Sequence, residues 1–166
     1  MNFKALQLAA IISVALYLVP TGAHLFEMVS KMALPPAEYM TVQKIYAGWA
    51  LFGAAIAVAV LTTLAHSIMV RKTRLAFALS VAALLGLLAT QAIFWTMTYP
   101  LNVATQNWTV MPDAFEAARR QWEYTHAASA VLTFLSLISL VLSSIETRQQ
   151  AVSGRVNRAP IAAPAS

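Results

Sequence analysis

The chain has 166 residues, of which 60% are hydrophobic and 10% charged, with a net charge of +5. A soluble domain carries roughly 25% charged residues, so a single integral membrane domain is expected in place of an ordinary soluble fold. The chain has no cysteine, which removes disulfides, thiolate catalysis and Cys-bound zinc or iron–sulfur clusters, and its bases sit at segment ends as membrane topology requires, not in a nucleic-acid-binding patch.

Four apolar segments follow one another, at about residues 6–29, 45–70, 75–99 and 122–145. Each reaches the roughly 20 residues that a helix needs to cross the hydrocarbon core. Separate spans must be helical, because lipid offers backbone groups no partner. The expectation is an all-α, integral membrane four-helix bundle over residues 1–145, running up-down-up-down.

The first segment begins after Met1-Asn2-Phe3-Lys4, and Thr21-Gly22-Ala23 resembles a signal-peptidase site. Apolar residues continue through Leu25, Phe26, Met28 and Val29, so the segment reads as a retained span. Pro35-Pro36 stops it. The second segment carries Ala47, Ala50, Ala54 and Ala57 at helical steps, the third Ala82, Gly86 and Thr90, and the fourth Ser129, Thr133 and Ser136. Small and hydroxylic residues of this kind are expected where membrane helices meet. Pro112-Asp113-Ala114-Phe115-Glu116 predicts a helix start outside the lipid from about residue 113, capped by Asp113. Asn107-Trp108-Thr109 matches the glycosylation pattern by chance. The tail, 146–166, is polar and then rich in Ala and Pro, and is expected to be disordered.

With both termini on one side, that side holds Lys4, Arg71, Lys72, Arg74, Arg148, Arg155 and Arg158, against Lys31, Lys44, Arg119 and Arg120 on the other. The excess favours both termini in the cytoplasm, and an inner-membrane protein is expected.

Polar residues then fall at one depth, near the outer face. His24 and Glu27 lie three apart, as do Glu123 and His126, and Gln43, Tyr46, Gln91, Trp95, Tyr99 and Asn102 lie level with them. Ionisable groups at membrane depth tend to be functional. One reading is a metal site of His24, Glu27, Glu123 and His126, since Glu-x-x-His presents two ligands inward and such a set suits iron, manganese or zinc. A haem between His24 and His126 is the lesser alternative. A reading without a cofactor makes His126 a general base tuned by Glu123 or Glu27, with Asn102, Gln91 or Tyr99 stabilising an oxyanion. Trp95, Trp122, Gln43 and Tyr46 then line a site for a lipophilic small molecule. The bland reading makes Trp49, Trp95, Trp108, Trp122, Tyr99 and Tyr124 an interfacial aromatic belt, with Glu27–Lys31 and Arg119–Glu123 as solvated helix pairs. His66, near the other end, reads as a packing residue. Membrane lipid, a second copy or a membrane-protein partner are the expected neighbours, and transport is disfavoured because no span is broken.

The stretches Tyr99-Pro100-Leu101-Asn102, Asn107-Trp108 and Arg120-x-Trp122-Glu123-x-x-His126-Ala127-Ala128 resemble the anthrone-oxygenase-like family of small four-helix membrane proteins. The first half is similar to a bacterial branch, through His24-Leu25-Phe26-Glu27, Lys31-Met32-Ala33-Leu34-Pro35 and Tyr39-Met40-Thr41-Val42-Gln43-Lys44-Ile45-Tyr46-Ala47-Gly48-Trp49. The resemblance covers about residues 5–145. It implies a four-helix membrane fold and, for some members, oxygenation of anthrones to anthraquinones without a dedicated cofactor. On that reading His126, Glu123, Asn102 and Trp122 would be central, with His24 and Glu27 opposite.

Overall fold

The computed structural model describes residues 2–156. Among these the protein is all-α. Helices α1 (Phe3–Met32), α3 (Phe52–Val70), α4 (Arg74–Ile93) and α6 (Phe115–Val156) form a four-helix bundle, with short helices α2 (Pro36–Val42) and α5 (Tyr99–Ala104) at one end. Each long helix packs against two neighbours, in the ring order α1, α3, α4, α6. Four stretches are long and apolar enough to cross a membrane: Phe3–Met32, Phe52–Val70, Arg74–Ala104 and Phe115–Gln150. The end holding Asn2 and the Arg71–Arg74 turn is called the near end, and the opposite one the far end.

The helix bounds have local causes. Asn2 caps α1, its side chain accepting from the Ala5 N–H at 2.8 Å. Pro35 and Pro36 end the first stretch as expected, but they also start α2, with Pro36 at its first position. The second span begins at Phe52 rather than near residue 45. Gly48, with φ of +86°, turns the chain between two 3₁₀ turns, Gln43–Tyr46 and Trp49–Leu51. Only glycine takes that backbone without strain. Beyond α4, Phe94–Thr98 form a π turn. Pro100 lacks an N–H and would collide with the carbonyl four residues back, and the wider turn accommodates it. The fourth helix starts at Phe115, so Asp113 lies one residue outside the capping position. It runs on to Val156, which corrects the expected disorder for residues 146–156; Glu146, Arg148, Gln149 and Gln150 are good helix formers and no proline interrupts them. The rest of the expected tail, 157–166, lies outside the described residues.

The core is layered. Across the middle, Ala10, Val14, Ile56, Ala59, Ala83, Leu87 and Leu140 form an apolar cluster drawn from all four long helices. Of the expected packing stripes, Ser129, Thr133 and Ser136 on α6 are buried. Their hydroxyls donate to carbonyls one turn back on their own helix, so they enter the core satisfied. Gly86 faces Ser136 so closely that an added Cβ would collide with its hydroxyl. The alanine stripe of the second span is a correction: Ala54 and Ala57 face outward, and Ile56, Ala59, Thr63, His66 and Ser67 face the bundle. At the near end His66 is buried, its Nδ1 3.0 Å from Ser80 Oγ, which lies 2.7 Å from Ser67 Oγ.

Candidate functional site at the far end

The last turns of α1 place His24, Glu27 and Lys31 on one face, because steps of three and four return to the same side. The helix α2 and the turn after it lay Tyr39, Gln43 and Tyr46 over that face. The α6 helix brings Trp122, Glu123 and His126 from the other side. The centre is an ion pair. Lys31 Nζ lies 2.8 Å from Glu123 Oε1, with the side chains 4% and 0% exposed. Tyr39 donates its hydroxyl to the same carboxylate oxygen at 2.8 Å, and Gln43 Nε2 donates to the Tyr39 hydroxyl at 2.5 Å. Lys31 also donates to the Tyr46 hydroxyl at 2.8 Å, and Tyr46 in turn donates to Glu27. His24 Nδ1 lies 3.2 Å from Glu27 Oε1. Hydrogen bonds and the ion pair thus connect Glu27 to Glu123 through Tyr46 and Lys31, while His24 Nδ1 lies beside Glu27 without a hydrogen bond of its own.

Aromatic rings enclose it. The Lys31 ammonium sits 4.5 Å from the ring centres of both Tyr46 and Trp122, a cation held over electron-rich faces. The His24 and His126 rings lie 4.2 Å apart, and Trp122 lies 3.9 Å from His126. Trp122 is fixed from behind, its indole N–H donating to Asn102 Oδ1 at 2.9 Å. Asn102 reaches that position because α5 continues past the π turn. His126 Nδ1 lies 2.8 Å from the Trp122 carbonyl oxygen. A carbonyl only accepts, so Nδ1 carries the proton and Nε2 keeps its lone pair. Burial, followed by the adjacent Glu123 charge, raises the Tyr39 phenol above its ordinary pKa; burial and the bond to Glu27 raise that of Tyr46. Both phenols therefore act as proton donors within the network.

A strained strap closes the far end. Gln106, Asn107 and Trp108 have φ of 49°, 55° and 62°. Left-handed backbone costs about 1–2 kcal/mol for such a residue, less for Asn. Bonds to Thr105 offset it: the Trp108 N–H donates to the Thr105 hydroxyl, and the Thr109 and Val110 N–H groups donate to its carbonyl, all at 3.0 Å. The turn drives the Trp108 indole between Tyr39 and Trp122, at 5.3 and 5.9 Å. The indole N–H of Trp108 and Glu123 Oε2 are buried without a protein partner.

Of the residues expected in the layer, His24, Glu27, Gln43, Tyr46, Asn102, Trp122, Glu123 and His126 come together. Trp95 and Tyr99 do not: they stack on each other at 5.0 Å and are 58% and 44% exposed on the outer side of the bundle. Gln91 lies inward of the layer, its amide 3.5 Å from Thr90 Oγ1. The expected aromatic belt divides likewise. Trp95, Tyr99 and Tyr124 are exposed, whereas Trp108 and Trp122 are core residues. Two residues carry more than their sequence signal suggested. Lys31, at i+4 from Glu27 and expected as its solvated partner, crosses to Glu123. Tyr39, one helical turn before Gln43, joins the layer through its bond to Glu123. Arg119 turns away from Glu123, donating to the Leu34 carbonyl at 2.8 Å and pairing with Glu116 at 2.7 Å.

The donor set does not fit a resident metal. Among the described residues no three His, Asp or Glu side chains converge as ligands. Glu123 Oε1 is already occupied by an ammonium and a phenol, and the Lys31 charge stands where a metal cation would. His24 and His126, at 4.2 Å between ring centres, leave no space for a porphyrin plane and its iron between them. Against protein families, curated proteins and solved structures, the chain has no match.

Proposed function

We propose that the protein is a bacterial inner-membrane oxygenase-type enzyme, acting on a lipophilic aromatic or quinone-like compound at the far end of the bundle, with both termini in the cytoplasm. The observation that carries this reading is the largely buried acid–base network of Lys31, Glu123, Tyr39, Tyr46 and Glu27, with His24 against it, beside a histidine with a free nitrogen lone pair. A structural ion pair alone does not require so many ionisable groups, since burying each is costly. The motif resemblance to anthrone oxygenases supports it from the sequence side.

The chemistry follows from the groups present. His126 Nε2 takes a proton from a ring CH₂ made acidic by a neighbouring carbonyl or phenol. Trp122, held by Asn102, packs against the His126 ring and fixes its orientation. The Trp108 indole N–H, which has no partner among the described residues, is the donor left for the developing oxyanion. The substrate anion passes its electrons to dioxygen, so that CH₂ and O₂ yield C=O and water. No resident cofactor enters the balance.

The test is oxygen uptake by purified protein with hydroxyanthrone-type and hydroquinone substrates. The wild type consumes oxygen in proportion to product, and His126→Ala loses at least about a hundredfold in kcat, the ordinary loss for a missing general base. Unchanged turnover in His126→Ala overturns the assignment. A reporter fused at the C-terminus that works only outside the cytoplasm overturns the orientation.

One observation favours a second, non-enzymatic reading. Gly53, Ala54 and Ala57 on α3 face outward, and small residues let membrane helices approach closely. In that reading the protein is a small membrane subunit, and a stoichiometric partner is retained in mild detergent.

A further inference from the structure

A groove of about 650 Å³ runs between α1 and α6, lined by apolar residues that include Gly22, Ala23, Phe26, Ala130, Val131 and Phe134. Ligand clefts fall in the range of roughly 300–1,000 Å³. Small residues between membrane helices ordinarily draw the backbones together. Here they do not. A Cβ added at Gly22 would find nothing closer than the edge of the Phe26 ring, at 4.0 Å. Phe26 and Phe134, 86% and 52% exposed, stand at the rim as two walls above a floor that includes Ala130. The α1 helix is weakened at this point, because Pro20 cannot donate to the carbonyl of Leu16 and Gly22 follows two residues later. The groove begins one helical turn from the far-end site, on the His126 face of α6. Ala130 lies one helical turn inward of His126, and Phe26 precedes Glu27.

We infer that this groove seats the hydrocarbon tail of an amphiphile whose hydroxyl-bearing head donates to His126 Nε2. The inference rests on the proposed membrane location and far-end substrate site, and adds to them that the substrate carries a tail and arrives sideways from the lipid. A tail gains no hydrophobic free energy by leaving lipid for an apolar groove. Recognition therefore comes from shape, through contacts with the two phenylalanine walls that a disordered lipid neighbour makes less completely. The polar head supplies direction, since in hydrocarbon a hydroxyl without a partner is costly.

The test is photolabelling in lipid nanodiscs with a hydroquinone bearing a diazirine in its alkyl tail. Adducts are expected on residues 18–26 and 130–134, displaced by excess unlabelled tailed hydroquinone and not by phosphatidylcholine. Gly22→Leu fills the groove from its floor, and Val131→Trp from its rim, where Val131 is 48% exposed. Both are expected to abolish the competed labelling while leaving the helical spectrum unchanged. Labelling spread over all four helices, or displaced equally by phosphatidylcholine, means annular lipid only and overturns the inference. So does labelling unaffected by both variants. Labelling needs no turnover, so the two proposals fail separately: groove adducts without oxygen uptake sink only the oxygenase reading, and oxygen uptake without groove adducts sinks only this one.

Discussion

Lys31 Nζ and Glu123 Oε1 meet at 2.8 Å inside the bundle, although the two residues lie on its first and last helices and neither side chain reaches solvent. The pair fastens α1 to α6 at the end where the connections are longest. Breaking a buried pair leaves one charge without a counterion, at about 3–5 kcal/mol. Lys31→Met and Glu123→Gln are each expected to lower unfolding stability in detergent by an amount of that order. The double variant is expected to lose much less than the sum. Strict additivity in the double-mutant cycle would refute the coupling.

The Asn102–Trp122 bond makes a smaller and more local prediction. Trp122 is 4% exposed, and its N–H has Asn102 Oδ1 as partner. Asn102→Leu leaves that N–H unsatisfied, at a cost of about 1–3 kcal/mol. Trp122→Phe removes the donor, so adding Asn102→Leu to it is expected to cost little further. Equal effects of Asn102→Leu in both backgrounds would show that the bond carries no weight.

Gly86 sets the distance between α4 and α6. Gly86→Ala places a methyl group against the Ser136 hydroxyl, and overpacking of this kind costs about 1–3 kcal/mol. Ser136→Ala removes the colliding atom and is expected to restore most of the loss. Failure of that rescue in thermal unfolding would locate the strain elsewhere, the Leu132 carbonyl being the next atom.

Alkaline stability carries the mark of Tyr39 and Tyr46. Their phenols are raised above the ordinary value of 10.0, chiefly by burial. In the unfolded chain they ionise near pH 10. Above that pH the folded protein retains protons that the unfolded chain has lost, so stability falls as pH rises. Below it the two phenols contribute no slope. The Tyr39→Phe/Tyr46→Phe variant is expected to lose less stability than the wild type between about pH 9 and 11. Parallel curves for the two proteins would contradict it.

The parts of this architecture that the amino-acid order discloses are those where apolar length and buried hydroxyls leave little choice. Four long apolar helices follow from the length of the apolar segments, and the α6 core face follows from Ser129, Thr133 and Ser136, since hydroxyls favour a protein contact over an apolar surround. The rotation of α3 does not follow. Ala54 and Ala57 lie on the outer face and Ile56 and Ala59 on the inner, because α3 is apolar on both faces and no hydrophobic period fixes the angle. Trp95 and Tyr99 fail for a related reason: depth was readable, side was not, and the π turn before Pro100 shifts their phase. The site was legible as His24, Glu27, Glu123 and His126 at one level. Its wiring was not. Lys31 and Glu27 at i and i+4 look like a local pair, and only the fold of residues 36–46 over α1 sends Lys31 across to Glu123.

The apolar cross-section of Val14, Ile56, Leu87 and Leu140 separates the far-end network from the His66–Ser80–Ser67 cluster at the near end. Four helices supply it, and the hydroxyls of Thr90, Ser129, Thr133 and Ser136, buried in the same bundle, donate to carbonyls of their own helices and not to one another. Under the proposed far-end chemistry, protons exchanged at His126 are therefore expected to stay on that face of the bundle. Turnover under that proposal is expected to be electrically silent, so that collapsing the membrane potential with an ionophore leaves the rate unchanged.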